Sequence, residues 1–291
     1  MKVVVAGGTG LLGRALAEEW RSDELILTGS RELDVRERAQ MDGFIARHRP
    51  DWVVLAAAYT DVDGCERDAA LADEVNHRGA VNVGRICKER GIRLLFISTD
   101  FVFDGSKSTP YEPDDPVCPI NVYGQSKAAA EADLRALLPQ CCIVRTSWIF
   151  GAEKRCFPNT LLERCATRKE FPVIADQRGC PNYNHDLAQA IAELVHEEAQ
   201  GIVHLTNGAG ASWFEFAQEL VRVAGLRDIT VRPTTMAELN RPARRPPYSV
   251  LSDASLRAYG IRLRHWREAI PDYLARQSDI SVSIRHTQRA T

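Results

Sequence analysis

The sequence predicts an α/β protein built on a doubly wound parallel sheet. Three observations carry that prediction. The chain opens with an apolar run, Lys2–Ala6, that passes straight into Gly7-x-x-Gly10-x-x-Gly13. Short apolar runs then alternate with amphipathic stretches through the first half. After Gly151 the alternation loosens, which marks a second, smaller body.

The elements follow in order. Val3, Val4 and Val5 are β-branched and form the continuous apolar run of a strand covered on both faces. The three glycines let the chain turn sharply, bring bare backbone against a pyrophosphate and pack the next helix close to the strand. Residues 11–21 supply that helix, whose N-terminus offers free N–H groups and a positive dipole end. Further strands are predicted at 25–28, 52–56, 94–98 and 142–146, with helices at 37–48, 66–90 and 122–137. Strands separated by helices at this spacing imply right-handed crossovers and a Rossmann-type parallel sheet. Residues 110–119 carry four prolines and read as a loop. Beyond Gly151, 157–169 reads as helix, 172–174 as strand, 186–199 as helix and 201–205 as strand. Ser212, with Glu215 three residues on, forms a capping box. Residues 233–248, rich in Pro and Arg, read as an ordered loop or lid, and 277–291 as a polar tail.

Bulk properties narrow the function. At 291 residues the chain is long enough for one large α/β unit or two lobes. Its 45% hydrophobic and 26% charged content is that of an ordinary globular protein. A net charge of −2 gives no field that would draw it to nucleic acid or anionic membrane. The first strand starts at residue 2, so no signal peptide is expected, and no apolar run reaches spanning length. Eight scattered cysteines without CxxC spacing point to reduced thiols in a cytoplasmic protein, with no metal expected.

The chemistry centres on Tyr123 and Lys127, four residues apart on one face of the 122–137 helix. Tyrosine titrates near pH 10, and an adjacent ammonium is expected to lower that value and make it a proton donor near neutrality. The alternative is a surface tyrosine beside a solvated lysine. Thr99, with Ser98 and Asp100, lies where the fourth strand ends, at the carboxyl edge where open α/β sheets bind ligands. Its alternative is a turn cap. The second strand ends in Thr28-Gly29-Ser30-Arg31 where NAD enzymes usually present a carboxylate. A hydroxyl and a guanidinium suit the 2′-phosphate of NADPH, with NADH the lesser alternative.

Gly7-x-x-Gly10-x-x-Gly13, Ala56-Ala-Ala-Tyr-Thr60, Ser98-Thr99-Asp100 and Tyr123-x-x-x-Lys127 together resemble the extended short-chain dehydrogenase/reductases. The longer strings AAAYTDVDGCERD (56–68), STDFVFDG (98–105), NVYGQSK (121–127), RTSWIFG (145–151), DQRGCP (176–181) and HLTNGAGASWFEFA (204–217) resemble the dTDP-4-dehydrorhamnose reductase family, in collinear order to about residue 275. The resemblance implies a catalytic Thr99, Tyr123 and Lys127. It implies cofactor contacts from Gly7, Thr9, Gly10, Leu11, Leu12, Gly13, Asp34, Val35, Ala56, Ala57 and Ala58, beside the separately argued Arg31. On the substrate side it implies Tyr59, Thr99, Asp100, Trp148 and Arg245. Trp148 also fits a core tryptophan beside Ile149 and Phe150, and Arg245 a solvated basic loop. The family's glutamate two residues past the third glycine is Ala15 here, so no bridging metal is expected; a homodimer is compatible with the family. The domain limits that follow are 1–150 for dinucleotide binding, with about 176–200 returning to it, and 151–276 for a C-terminal substrate-binding lobe. The implied reaction is reduction of a nucleotide-linked 4-keto-6-deoxyhexose by NADPH. Alternatives are another sugar-nucleotide reductase or epimerase, or a non-catalytic NADP-binding regulatory subunit like that of methionine adenosyltransferase.

Overall fold

A computed structural model describes residues 1–289, with side chains through Gln277. Its sheet has six parallel strands: β1 (Lys2–Ala6), β2 (Glu24–Thr28), β3 (Trp52–Leu55), β4 (Arg93–Thr99), β5 (Cys142–Thr146) and a late strand, Gly201–His204, in the order β2-β1-β3-β4-β5 followed by the late strand. The order reverses between β1 and β3, so a crevice opens at the carboxyl ends of these two strands. Val3, Val4 and Val5 have no exposed surface. Val3 and Val5 face one apolar layer and Val4 the other, as a strand covered on both sides requires.

Helices α1 (Leu11–Glu19), α2 (Arg38–His48), α3 (Val62–Arg67), α4 (Ala69–Ala72), α5 (Gly79–Arg90) and α6 (Val122–Leu137) complete the first half. Leu12, Ala15 and Leu16 of α1 pack on one face of the sheet. Met41 and Ile45 of α2, Val83 and Ile86 of α5, and Ala130 and Leu134 of α6 pack on the other. The single helix predicted over 66–90 is broken: Asp68 caps Leu71 N–H at 3.0 Å, and Asp73–Arg78 winds as a π-helix between α4 and α5. The π turn brings Asn76 against the loop after β3. Its amide accepts from Tyr59 N at 2.7 Å and donates to Tyr59 O at 3.0 Å and Ser126 Oγ at 3.1 Å.

The second half adds β6 (Ile149–Phe150), α7 (Phe157–Cys165), β7 (Glu170–Ile174), β8 (Arg178–Gly179), β9 (Asn182–Tyr183), α8 (Asn184–His196), β10 (the late strand), β11 (Ala211–Ser212), α9 (Trp213–Val223), β12 (Thr230–Thr234), α10 (Met236–Leu239), α11 (Ala254–Arg257) and α12 (Trp266–Arg289). Helix α8 buries Leu187, Ile191 and Leu194 beside α1, and β10 pairs with β5, so both belong to the sheet. Three two-stranded ladders (β6·β9, β7·β12, β8·β11) surround a separate core of Phe150, Tyr183, Phe216, Trp266 and Tyr273. Ser212 caps α9 by accepting from Glu215 N at 3.0 Å, and Glu215 returns the bond to Ser212 N at 2.7 Å.

Two expectations change. Residues 233–248 contain the end of β12 and the short α10 before they become loop. The polar tail expected over 277–291 is corrected: α12 continues to Arg289, and residues 290–291 lie outside the described chain. No Gly or Pro interrupts 278–289, and an established helix adds residues at little cost. All eight cysteines are free thiols. No helix among the described residues is long and apolar enough to cross a membrane.

Candidate active site

The first glycine loop is shaped by contacts that exclude a side chain. Gly7 has φ +97°, and a Cβ there would lie 2.6 Å from Ala57 N and 2.7 Å from Ala56 C. Gly10 is the N-cap of α1 and provides no side-chain cap, so the first N–H groups of that helix are left for a ligand. Gly13 sits inside α1, where alanine would ordinarily add helix stability of about 1 kcal/mol. Here its Cβ would lie 2.5 Å from Gly7 O and Gly8 Cα, and that backbone cannot yield cheaply. Gly13→Ala is therefore expected to lose about 1–3 kcal/mol of stability and to weaken dinucleotide binding at least tenfold. A urea titration and a fluorescence titration with NADPH check both effects.

A cleft of about 550 Å³ runs from this loop along the carboxyl edge. Of the residues predicted from sequence, Gly7, Gly10, Leu11, Leu12, Gly13, Ala56, Ala58, Thr99, Asp100, Tyr123, Lys127 and Trp148 line it. The others lie outside its lining. Thr9 is exposed on the loop beside Gly29, and Arg31 is exposed after β2. Glu32 turns back to accept from Gly29 N at 2.6 Å. Asp34 pairs with Arg36 at 2.6 Å, while Val35 and Ala57 belong to the α2/α5 side of the core. Tyr59 is fixed through its backbone by Asn76. Arg245 is turned inward: Nη1 donates to Asp63 Oδ1 at 3.0 Å and to Ala243 O at 2.8 Å, because Asp63 in the first turn of α3 offers it a half-buried carboxylate.

Sequence reasoning missed Thr60, Val62, Ile97, Phe101, Thr146, Ser147, Ile149, Lys154, Arg155 and Cys156 in the same lining. The argument that located Thr99 applies equally to Thr146, its partner in the parallel register at the end of β5. The Thr146 Oγ1 is buried and has no hydrogen-bond partner among the described residues.

Helix α6 presents the reacting pair. Asn121 caps it by accepting from Gly124 N at 2.7 Å, and its amide donates to Arg244 O at 2.8 Å. Gly124 lets the helix approach Phe101, whose carbonyl oxygen would lie 2.1 Å from an added Cβ. Tyr123 packs edge-on against Phe101 at 6.0 Å. Thr99 takes the cap role weighed for it and also lines the cleft. It caps the short turn Asp100–Val102 by accepting from Phe101 N at 3.2 Å, and its hydroxyl donates to Asp100 Oδ1 at 3.1 Å.

The electrostatics correct one expectation. Lys127 donates to Ile97 O at 2.7 Å and sits over the Phe96 ring at 3.8 Å. It is not among the groups that move the phenol. Burial raises the Tyr123 pKa, with Asp100 adding to the rise and Thr99 opposing it. Taking a phenolate out of water outweighs the one hydrogen bond that stabilises it. Burial also brings Lys127 down to about 7, against the pull of Glu131.

Asp100 is 2% exposed, and burial lifts its carboxyl to about 7 against hydrogen bonds from Ser249 and Thr99. A carboxyl whose value is raised in the folded state favours folding fully below its ordinary value near 3.8 and loses that contribution as pH climbs to about 7. Asp100→Asn, which keeps an acceptor for Ser249, is expected to gain stability relative to the parent between pH 4 and 7, with a constant difference above that. Urea midpoints across this range check it; parallel curves would contradict it.

Among the described residues, Glu18, Glu153 and His185 bring possible metal-ligand atoms within 4.8 Å of one another. An ion-pair network accounts for them. His185 Nδ1 meets Glu19 at 2.8 Å, its Nε2 meets Glu153 at 2.5 Å, and Arg276 meets Glu18 at 2.6 Å.

Comparison with known proteins adds to this geometry. A family model described as the RmlD substrate binding domain matches residues 1–278. The chain is 39% identical to a probable dTDP-4,6-dihydroxy-2-methyloxan-3-one 4-ketoreductase of Streptomyces antibioticus, over 94% of this chain and 96% of that protein. It is 38% identical to a dTDP-4-dehydrorhamnose reductase of Mycobacterium tuberculosis, over 97% and 95% respectively. A crystal structure of dTDP-4-dehydrorhamnose reductase from Bacillus anthracis in complex with NADP superposes with a TM-score of 0.91 at 33% identity, covering 94% of this chain and 99% of that one.

Proposed function

We infer that this chain, which belongs to the RmlD substrate binding domain family, is an NADPH-dependent oxidoreductase acting on the 4-keto group of a nucleotide-linked 6-deoxyhexose, with dTDP-4-dehydro-L-rhamnose as substrate and dTDP-L-rhamnose as product. The observation that carries this is one cleft lined both by the uncapped N-terminus of α1 and by Thr99, Tyr123 and Lys127.

The residues fit the cofactor. Gly7 and Gly13 are positions where a Cβ would strike backbone, and Ala56 and Ala58 add no bulk to the cleft wall. The α1 N–H groups would hold the diphosphate, and Arg31 would be the cation available for a 2′-phosphate. NADPH, when bound, supplies a hydride. The protein's own part is orientation and proton delivery. With substrate bound, the Thr99 hydroxyl turns its one proton from Asp100 Oδ1 to the C4 carbonyl oxygen and polarises it. Tyr123, kept protonated by its burial, gives its proton to that oxygen as the alkoxide forms. Lys127, whose ammonium donates to Ile97 O in the same lining, would orient the bound cofactor. The hexose lies against Trp148, and Asp100 ties Thr99 to the Ser249 segment through its two oxygens.

The test is NADPH oxidation with dTDP-4-dehydro-L-rhamnose against GDP- and UDP-linked keto sugars. A kcat/KM at least tenfold higher for the dTDP sugar is expected. No oxidation with any of them would overturn the reductase reading, and preference for another nucleotide would overturn its substrate. Arg31→Ala should raise the KM for NADPH about tenfold and leave that for NADH within twofold, since only NADPH carries the extra phosphate. Equal changes for both would remove Arg31 from the cofactor site.

A further inference from the structure

One wall of the cleft is held under backbone strain. Trp148 has φ +40°, a left-handed conformation that a bulky side chain adopts only when its surroundings enforce it. Three features supply that enforcement. The Trp148 indole stacks on Trp213 with ring centres 3.7 Å apart and planes 10° from parallel. Gly179 lies so close to the same indole that a Cβ would stand 2.6 Å from it. Trp213 is itself pinned: its Nε1–H donates to the Oε1 of buried Gln177 at 3.2 Å, and Phe157 packs on it at 4.7 Å. The β8–β11 ladder pairs Gly179 with Ala211 and Arg178 with Ser212, directly before Trp213. The glycine and the second tryptophan are therefore fixed with respect to each other, and the Trp148 ring is set against both.

We propose that Trp213, with Gly179, is a positioning residue for the sugar side of the site. It holds the strained Trp148 as a cleft wall, so that the hexose meets a rigid ring. The proposal rests on the reductase reading above. Trp213 does not line the cleft. It acts through Trp148, and its removal lets that residue relax out of its left-handed conformation. The cost falls on the sugar nucleotide, because the ring that Trp213 holds is the wall assigned to the hexose, while the dinucleotide is assigned to the Gly7–Gly13 loop.

The test compares Trp213→Ala, Trp213→Phe and Gly179→Ala with the parent protein. Binding of dTDP-L-rhamnose and of NADPH is measured by calorimetry, and KM and kcat with the keto sugar. Trp213→Ala is expected to weaken dTDP-L-rhamnose binding and raise the keto-sugar KM at least tenfold, with NADPH affinity within twofold and kcat within fivefold. Trp213→Phe retains a stacking ring and stays within threefold of the parent throughout. Gly179→Ala pushes on the Trp148 ring directly and repeats the Trp213→Ala pattern with Trp213 intact, so an unfolded alanine variant leaves the question answerable. A merely structural Trp213 would weaken both ligands in proportion. That result, or unchanged sugar-nucleotide binding in both Trp213→Ala and Gly179→Ala, overturns the proposal. A parent protein that does not oxidise NADPH with any keto sugar overturns the reductase reading instead.

Discussion

Tyr123→Phe is expected to lower kcat by a factor of roughly 10²–10⁴ while NADPH affinity stays within twofold. The substitution removes only a hydroxyl. The ring keeps its edge-on contact with Phe101, and Asn121 still caps α6. Stability should therefore change little, and the loss appears in the step that needs a proton at the C4 oxygen. The raised pKa of Tyr123 sharpens the expectation. At neutral pH this phenol is a filled proton source in the cleft lining. Steady-state kinetics with a fluorescence titration of NADPH separate the two quantities. A variant with near-normal kcat would remove Tyr123 from the proton-delivery role.

The second large effect is on stability. Glu131→Ala is expected to cost about 3–5 kcal/mol and to lower the melting temperature by on the order of 10 °C. Glu131 is 3% exposed and Arg145 only 1%. Arg145 Nε reaches Oε1 at 3.0 Å and its Nη2 reaches Oε2 at 2.6 Å, while Ser98 donates to Oε1. Nη1 of the same arginine donates to Pro113 O at 3.1 Å. Removing the carboxylate leaves a guanidinium buried in the middle of the sheet without a counter-charge, and the desolvation already incurred is no longer offset. Replacing both partners, as in Glu131→Leu with Arg145→Met, should recover most of the loss, since a well-packed apolar pair avoids that desolvation altogether. Urea denaturation of the parent, single and double variants checks this. A single variant within 1 kcal/mol of the parent would mean that water or another group compensates Arg145.

How much of this was legible in the sequence follows from how local each feature is. The β1–loop–α1 unit is written in the consecutive residues Lys2–Glu19, and both the glycine spacing and the run of valines state their own geometry. The Tyr123/Lys127 pair is equally local, as is the Ser212/Glu215 box. The break at Asp68 and the π turn were not legible as such. Asn76 holds Tyr59 and Ser126 through contacts 17 and 50 residues away, and those contacts define the local winding. The same reasoning explains the phenol. Proximity of Lys127 in sequence pointed to a lowered pKa, whereas burial among Phe101, Thr99 and Asp100 is a property of the assembled cleft. The pairing of Arg245 with Asp63, 182 residues earlier, was likewise illegible, because nothing local to either residue reveals the other. Trp213 stood inside a quoted family string, yet its role depends on Trp148, Gln177 and Gly179, brought to it by the β8–β11 ladder.

The most direct test is a crystal structure of this chain with NADP⁺ and dTDP-L-rhamnose bound together. The account predicts the hexose in the cleft with its C4 hydroxyl within about 3.2 Å of both Tyr123 Oη and Thr99 Oγ1, its ring against Trp148, and the cofactor diphosphate on the N-terminus of α1. A hexose bound with C4 remote from Tyr123, or a diphosphate seated away from the Gly7–Gly13 loop, would contradict it.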